Sequence, residues 1–226
     1  MSRPTYAELG DACLTAHAME LIGARWTYPI LRELMLGPKR FSDLLTSVRG
    51  VTPVVLTGRL REMRDAGLVV VEALSPANVN AYALTRWALE LAPILRELGR
   101  WGQSSPLRTA EGGLTPDSAI QAMITMAGDG TLNPPITAEL RLHDERVDND
   151  REHTYSLRWG QTGLAVERGT AANPDVVIRC DSSSWGHVMF NDRALDQAGA
   201  VASGESALVN RLISEFRTNS QLQPTS

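Results

Sequence analysis

Apolar positions along the first third of the chain repeat at helical intervals that are cut at regular points. Trp26, Ile30 and Leu34 fall at i, i+4 and i+8 and form one apolar stripe, and Gly37-Pro38 ends it. Phe41, Leu44 and Leu45 mark a short second helix, for which Ser42 is the expected N-cap. A third helix is expected from Thr52-Pro53, with Thr as cap and Pro at the first helical position, to Ala66-Gly67. Leu68 to Ala73 and Ala81 to Leu84 then read as strands around the turn-forming Ser75-Pro76-Ala77-Asn78.

On a wheel of the third helix, Leu56, Leu60 and Met63 cluster on one side. Val54, Gly58 and Arg61 lie opposite, flanked by Val55, Thr57 and Arg64. One face packs, and the other is free to touch a partner. Small and β-branched groups can approach thymine methyls, and Arg suits guanine edges or phosphates. Gly58 lowers the propensity of this helix by about 1 kcal/mol relative to Ala. Three helices followed by a hairpin wing are the plan of a DNA-reading winged helix.

The residues that carry this plan also carry a resemblance. Cys13, Ala18-Met19-Glu20-Leu21-Ile22-Gly23-Ala24-Arg25-Trp26, Ile30-Leu31-Arg32-Glu33-Leu34, Gly37-Pro38-Lys39-Arg40-Phe41-Ser42-Asp43-Leu44 and Leu56-Thr57-Gly58-Arg59-Leu60-Arg61-Glu62-Met63 follow in order. Over roughly residues 11 to 103 the chain resembles HxlR-type winged helix-turn-helix regulators, relatives of the MarR group. The resemblance implies a dimeric, cytoplasmic bacterial transcription factor, with the third helix in the major groove and the wing along the minor groove or backbone.

Charge supports contact with phosphate. From Arg25 to Arg64 eight Lys and Arg face three acidic residues, a balance of +5, while the whole chain carries −4. Arg61 is the leading candidate for base or phosphate contact. For Arg59, a salt bridge to Glu33 or Glu62 stands beside a DNA contact. Lys39, Arg40 and Ser42, at the start of the second helix, are expected to meet phosphate and position the domain. The expected interface is completed by Thr52, Val54, Val55, Thr57, Gly58 and, in the wing, Asn78.

After Thr85, a wide apolar stripe runs through Trp87, Leu91, Ile94, Leu95, Leu98 and Trp101, with Pro93 expected to kink or split the helix. A small winged helix has little core left to cover that stripe. It is expected to pack, with Cys13 and the segment before it, against a second subunit, and two-fold symmetry predicts an inverted-repeat operator. Cys13 also carries an alternative reading, since some relatives of this type sense oxidants or electrophiles through a Cys at the matching position. Burial at the dimer interface is its structural counterpart.

With 226 residues, 43% of them hydrophobic, the chain can hold two small cores. No apolar run approaches the length of a membrane span, and the first residues lack a basic-then-apolar signal pattern, so a soluble, cytoplasmic protein is expected. Two cysteines give no framework of bridges and no metal spacing. A Gly-, Ser-, Thr- and Pro-rich stretch near Gly102 to Pro116 marks a boundary at which charge changes sign, from +2 over residues 1–102 to −6 over 103–226. The expected organisation is a DNA-binding and dimerisation domain over 1–103, a linker over 104–115, a second domain over 116–218 and a disordered tail over 219–226.

The second domain begins with a helix carrying Ala119, Ile120, Met123 and Ile124. Alternating runs at Ala138 to Leu142, Thr154 to Trp159 and Leu164 to Glu167, and a fourth run from Asp175 to Cys180, predict antiparallel strands. A helix from Ser182 to Phe190, capped at Asp181 or Ser182, and a closing helix from Ser206 to Phe216 complete an α+β unit. Trp159, Gly163-Leu164-Ala165-Val166, Pro174-Asp175-Val176-Val177-Ile178, Trp185 and Ala202-Ser203-Gly204-Glu205-Ser206-Ala207-Leu208 resemble a sterol-carrier-protein-like domain, which implies a sheet covered by helices around an apolar tunnel. Met123, Met126, Trp185, Met189 and Phe216 are candidates to line such a pocket or to be ordinary core.

Catalytic patterns are not found. No serine lies in Gly-x-Ser-x-Gly, and Gly128-Asp129-Gly130 follows a helix and lacks a third glycine at the needed offset. His17, His143, His153 and His187 are scattered, and the acidic residues Asp144, Glu145, Asp148, Asp150 and Glu152 lack the Gly-centred calcium-loop pattern and read as a solvated hairpin tip. The expectation is a dimeric regulator, a repressor, of double-stranded DNA that answers to a hydrophobic small molecule, with no cofactor, metal or catalytic residue. A redox regulator acting through Cys13 is one alternative. A hydrophobic-ligand carrier or enzyme whose first domain only dimerises is another.

Overall fold

A computed structural model describes residues 4–74, 79–107, 112–148 and 151–221. The chain divides into two compact units, Met1–Ala92 and Pro93–Ser226, so the division falls ahead of the stretch at 104–115 expected to be the linker.

In the first unit the helices are α1 (Leu14–Ile22), α2 (Thr27–Leu34), α3 (Phe41–Ser47), α4 (Pro53–Asp65) and α5 (Arg86–Leu89), with a hairpin of β1 (Val69–Leu74) and β2 (Val79–Leu84) before α5. Ile30, Leu31 and Leu34 of α2, Leu44 of α3 and Leu56, Leu60 and Met63 of α4 form one buried core. Trp26 precedes α2 in the left-handed region, at φ 77°, with the Arg25 guanidinium 4.9 Å from its ring centroid. Helix α4 starts as its sequence predicts, with Pro53 in the first turn and Thr52 Oγ1 accepting a hydrogen bond from Val55 N. It ends at Gly67, whose φ of 73° lets Leu68 N donate back to Met63 O at 2.8 Å. That turn aims the chain straight into β1.

The start of α3 corrects the expected cap. Arg40, and not Ser42, is its N-cap residue, and no side chain caps the helix. Ser42 lies inside the first turn, exposed. The split expected near Pro93 occurs at Glu90, between α5 and α6 (Leu91–Gln103). Pro93 lies in the first turn of α6, where its missing N–H breaks no intrahelical bond. Within the second unit α6 meets α7 (Pro116–Ala127): Arg100 Nε donates to Thr125 O at 3.2 Å, and a Cβ at Gly99 would lie 3.3 Å from Thr125 Cγ2.

The second unit continues with β3 (Ile136–His143), β4 (His153–Gly160), β5 (Gly163–Arg168), β6 (Val176–Asp181), α8 (Ser182–Phe190), β7 (Val201–Gly204) and α9 (Ser206–Gln221). The sheet order is β5-β4-β3-β6-β7. All neighbours are antiparallel except β3 and β6, which run parallel and correct the expectation of a wholly antiparallel sheet. Strand β7 is an addition, since Val201–Gly204 is exposed throughout and shows no buried alternation. The tail expected from 219 begins within α9, and 222–226 lie outside the described residues.

Alternation decides which sheet face is buried. Ala138, Leu140 and Leu142 of β3, Tyr155, Leu157 and Trp159 of β4 and Val176, Ile178 and Cys180 of β6 all point to one interior with Ile120, Trp185, Leu212 and Phe216 of the helices. The Trp159 and Phe216 rings lie 4.4 Å apart between centroids. The Asp117 carboxylate is buried at the edge of this interior. Asp117, in the first turn of α7, accepts a 2.6 Å hydrogen bond from Tyr155 Oη and pairs with the Arg168 guanidinium, fastening α7 to β4 and β5.

Removing one partner of a buried ion pair strands the other charge. Asp117→Ala is expected to lower the unfolding free energy of the second unit by about 3–5 kcal/mol, measured by urea denaturation. An effect under about 1 kcal/mol would show that the pair is dispensable.

Candidate nucleic-acid interface

The expected reading face is set by what α4 buries. With Leu56, Leu60 and Met63 in the core, Val54 is left 82% exposed, and Val55, Thr57, Arg61 and Arg64 also face solvent. Gly58 is half-buried, and a Cβ built there would meet nothing within 4 Å, so its lack of a side chain is not demanded by packing. Thr57 Oγ1 donates to Pro53 O at 2.8 Å, which leaves its methyl and an oxygen lone pair toward the surface. Arg61 is exposed.

The other expected DNA contacts separate into two groups. Arg59 Nη1 pairs with Glu62 Oε2 at 2.5 Å, the salt bridge foreseen as one of its two roles. Arg40 is exposed beside Asp43, with Nε to Oδ2 at 3.2 Å, and Asp43 raises the Arg40 pKa above its ordinary value. Thr52 remains exposed while capping α4. Asn78 lies outside the described residues.

Lys39, expected to meet phosphate, has its side chain inside the first unit. Its side chain is buried, with Nζ 2.5 Å from Glu33 Oε2, and it donates to Ser47 Oγ at 3.2 Å. Glu33, 0% exposed, also accepts from Arg32 Nη2 at 3.0 Å. The Lys39 backbone meanwhile forms a two-bond bridge with Tyr82 of β2. Sequence reasoning missed this arrangement because Glu33 and Ser47 belong to different helices, though an acidic residue at an otherwise apolar position of α2 was the available signal.

The family model described as HxlR-like helix-turn-helix matches residues 21–108. The HTH-type transcriptional regulator YkvN of Bacillus subtilis (strain 168) is 39% identical over 85 residues, covering 37% of this chain and 71% of YkvN. The chain belongs to the HxlR-like helix-turn-helix family. It is a transcriptional regulator of the HxlR type. The HxlR-like segment is also similar to the regulator YodB of the same organism, 31% identical over 85 residues and covering 37% of this chain and 76% of YodB. Among solved structures, the reduced form of YodB from B. subtilis is 27% identical, covers 43% of this chain and 97% of that chain, and has a TM-score of 0.39. The redox regulator HypR in its oxidized form is 27% identical, covers 43% of this chain and 100% of that chain, and has a TM-score of 0.38. The family match ends at residue 108, ahead of α7.

The residues expected at the dimer interface divide by exposure. On α6, Ile94, Leu98 and Trp101 face solvent, as does Trp87 of α5, whereas Leu95 is buried and Leu91 packs on the core of the first unit. Leu14 and Met19 of α1 are likewise exposed. Cys13, at the N-cap of α1, is exposed in the chain. Hydrogen bonds from the Ala16 and Thr15 backbone N–H groups hold its pKa below the ordinary thiol value. Cys180 is the opposite case, with burial and then the charges of Asp181 and Glu145 pushing its pKa up to about 12.

The residues expected to line a ligand pocket lie in the second unit. Met123, Trp185, Met189 and Phe216 are fully buried, Met126 is half-buried, and Trp185 Nε1 donates to Met123 Sδ at 3.1 Å. Gly128 ends α7, and Gly130 O accepts from Trp159 Nε1 at 2.7 Å, a structural use of the Gly-Asp-Gly run. Of the acidic hairpin, Asp144 pairs with Arg146 and Glu152 with Arg179, while residues 149–150 lie outside the described residues.

The two thiols should titrate apart. Iodoacetamide at neutral pH is expected to modify Cys13 in the native protein and Cys180 only after denaturation, as read by peptide mass spectrometry. Equal native labelling of both would contradict these environments.

Proposed function

We propose that the protein is a homodimeric repressor that places the outward face of α4 in the major groove of each half of an inverted-repeat operator. The single observation that carries the reading is the division of α4 itself. Leu56, Leu60 and Met63 are committed to the core while Val54, Val55, Thr57 and Arg61 stand together on the opposite side. Apolar and β-branched groups beside one guanidinium suit thymine methyls and a guanine edge. Arg40 and Ser42 at the start of α3 would meet backbone phosphate and carry position without sequence. Two such helices can be held one helical turn of DNA apart only by a second subunit. The exposed Ile94, Leu98 and Trp101 of α6 supply apolar surface for that contact.

The second unit serves as the input in this reading. Its interior of Met123, Met126, Trp185, Met189 and Phe216 mixes thioether and aromatic groups, which adapt to irregular apolar ligands. A hydrophobic molecule bound there would release DNA only by binding more tightly to the arrangement that cannot reach both half-sites.

Cys13 favours a second reading, in which the input is oxidation or alkylation of its thiol. Its exposure and its lowered pKa both raise the reactive thiolate fraction near neutral pH. Cys13→Ser would then abolish release from DNA by a quinone or diamide, whereas full retention of that release would exclude the thiol as sensor.

DNA reading is tested by gel shift on a duplex that the protein selects from a random-sequence library. Arg61→Ala is expected to weaken binding by roughly tenfold to a hundredfold and to relax preference at one base pair of each half-site. Unchanged affinity and unchanged preference would sink the assignment of α4 as the reading helix.

A further inference from the structure

We propose that Lys39 and Glu33 form a buried positioning pair that aligns the wing with the helix-turn-helix, and that Lys39 touches no DNA. The inference rests on the DNA-reading role of α4 and concerns how the rest of that surface is held in place.

One residue here joins three elements. The Lys39 ammonium meets Glu33 of α2 at 2.5 Å and Ser47 of α3 at 3.2 Å. Its backbone N donates to Tyr82 O at 3.0 Å and its carbonyl accepts from Tyr82 N at 2.8 Å, making it a one-residue third strand beside β2. Ser47 Oγ donates its own proton to Asp43 O at 2.8 Å, which leaves a lone pair aimed at Lys39. Glu33 is fully enclosed and receives a second cation, Arg32, at 3.0 Å. The directional bonds therefore fix α2, α3 and β2 against one point.

The wing is also attached by packing, with Val69 and Leu84 in the core of the first unit and Tyr82 against it, and by hydrogen bonds at its base. Thr85 N donates to Leu68 O at 3.0 Å and Thr85 Oγ1 to Gly67 O at 2.8 Å, tying the base of the hairpin to the end of α4. Apolar packing holds the hairpin to the core without fixing one angle, and the Lys39 bridge on the flank of β2 adds the directional bonds that set it. Apolar side chains of the same size would fill the space but would not specify one alignment. Replacing a buried ion pair by apolar groups of similar volume is often neutral or stabilising, which leaves alignment as the contribution proposed for this one.

The charge pattern makes the inference testable. The hairpin from Val69 to Leu84 contains neither Lys nor Arg, so its contacts with DNA displace few counterions. A misaligned wing should weaken binding without changing its salt dependence, whereas loss of a Lys that touches phosphate lowers that dependence by about 0.9 in the log–log slope.

The double variant Glu33→Leu/Lys39→Met is the main test, because it removes both charges together and keeps the packing volume. Each variant is measured on the duplex selected by the wild-type protein, by thermal unfolding, affinity from 50 to 200 mM salt, and hydroxyl-radical footprinting. The expected result is an unchanged or higher Tm, an affinity lowered roughly tenfold with the wild-type salt slope, and loss of protection at the outer, wing-side edge of each half-site while the centre stays protected. Full affinity with a complete footprint would overturn the inference, showing the pair to be structural only. A reduced salt slope would also overturn it, showing Lys39 at phosphate. If the wild-type protein selects no duplex, the DNA-reading role itself fails and takes this inference with it.

Discussion

The burial of Leu56, Leu60 and Met63 against α2 and α3 is the interaction on which the proposed interface depends. These side chains recur on one side of α4, so placing them in the core fixes the rotation of the helix about its axis. Val54, Thr57 and Arg61 then have no choice of direction. The cap at Thr52 and the left-handed Gly67 set the two ends of the same helix. Hydrophobic packing thus decides which groups are offered to a partner, and polar groups decide only where the helix begins and stops.

Around that helix the cations fall into three different uses. Arg61 stays exposed, Arg59 is held by Glu62 on the helix surface, and Lys39 is drawn inside by Glu33. A basic stretch of sequence is therefore not one electrostatic surface. Net charge over the segment favours approach to phosphate, but the part of it that can meet DNA is smaller than the count of Lys and Arg suggests. The same contrast separates the thiols, since Cys13 sits at a helix start in contact with solvent while Cys180 is enclosed by the sheet and helices.

Local signals in the sequence were enough for the features that local chemistry decides. Thr52-Pro53 and Gly67 could be read as helix ends, period-two runs located β3, β4 and β5, and the β-rich run from Asp175 to Cys180 located β6. Features that depend on distant partners could not be read. Alternation in β3 and β6 says which side is buried but not that the two strands run parallel. Val201–Gly204 has no buried alternation, because β7 is an edge whose four residues are exposed. The cap of α3 moved to Arg40 because the bridge between Lys39 and Tyr82 sets where that helix can start. The burial of Lys39, a residue expected at phosphate, was not legible for the same reason, its partners being on α2 and α3.

The family match, which ends at residue 108, bears on the first unit, and the proposed input roles rest on the chemistry of the second unit's interior and of Cys13. The claim at the centre is that α4 reads the major groove, and methylation interference on the selected duplex tests it most directly. If α4 lies in that groove, methyl groups at guanine N7 in each half-site block the wild-type protein, and Arg61→Ala loses sensitivity at one of those guanines. Interference confined to adenine N3, in the minor groove, or none at either position, would contradict the account.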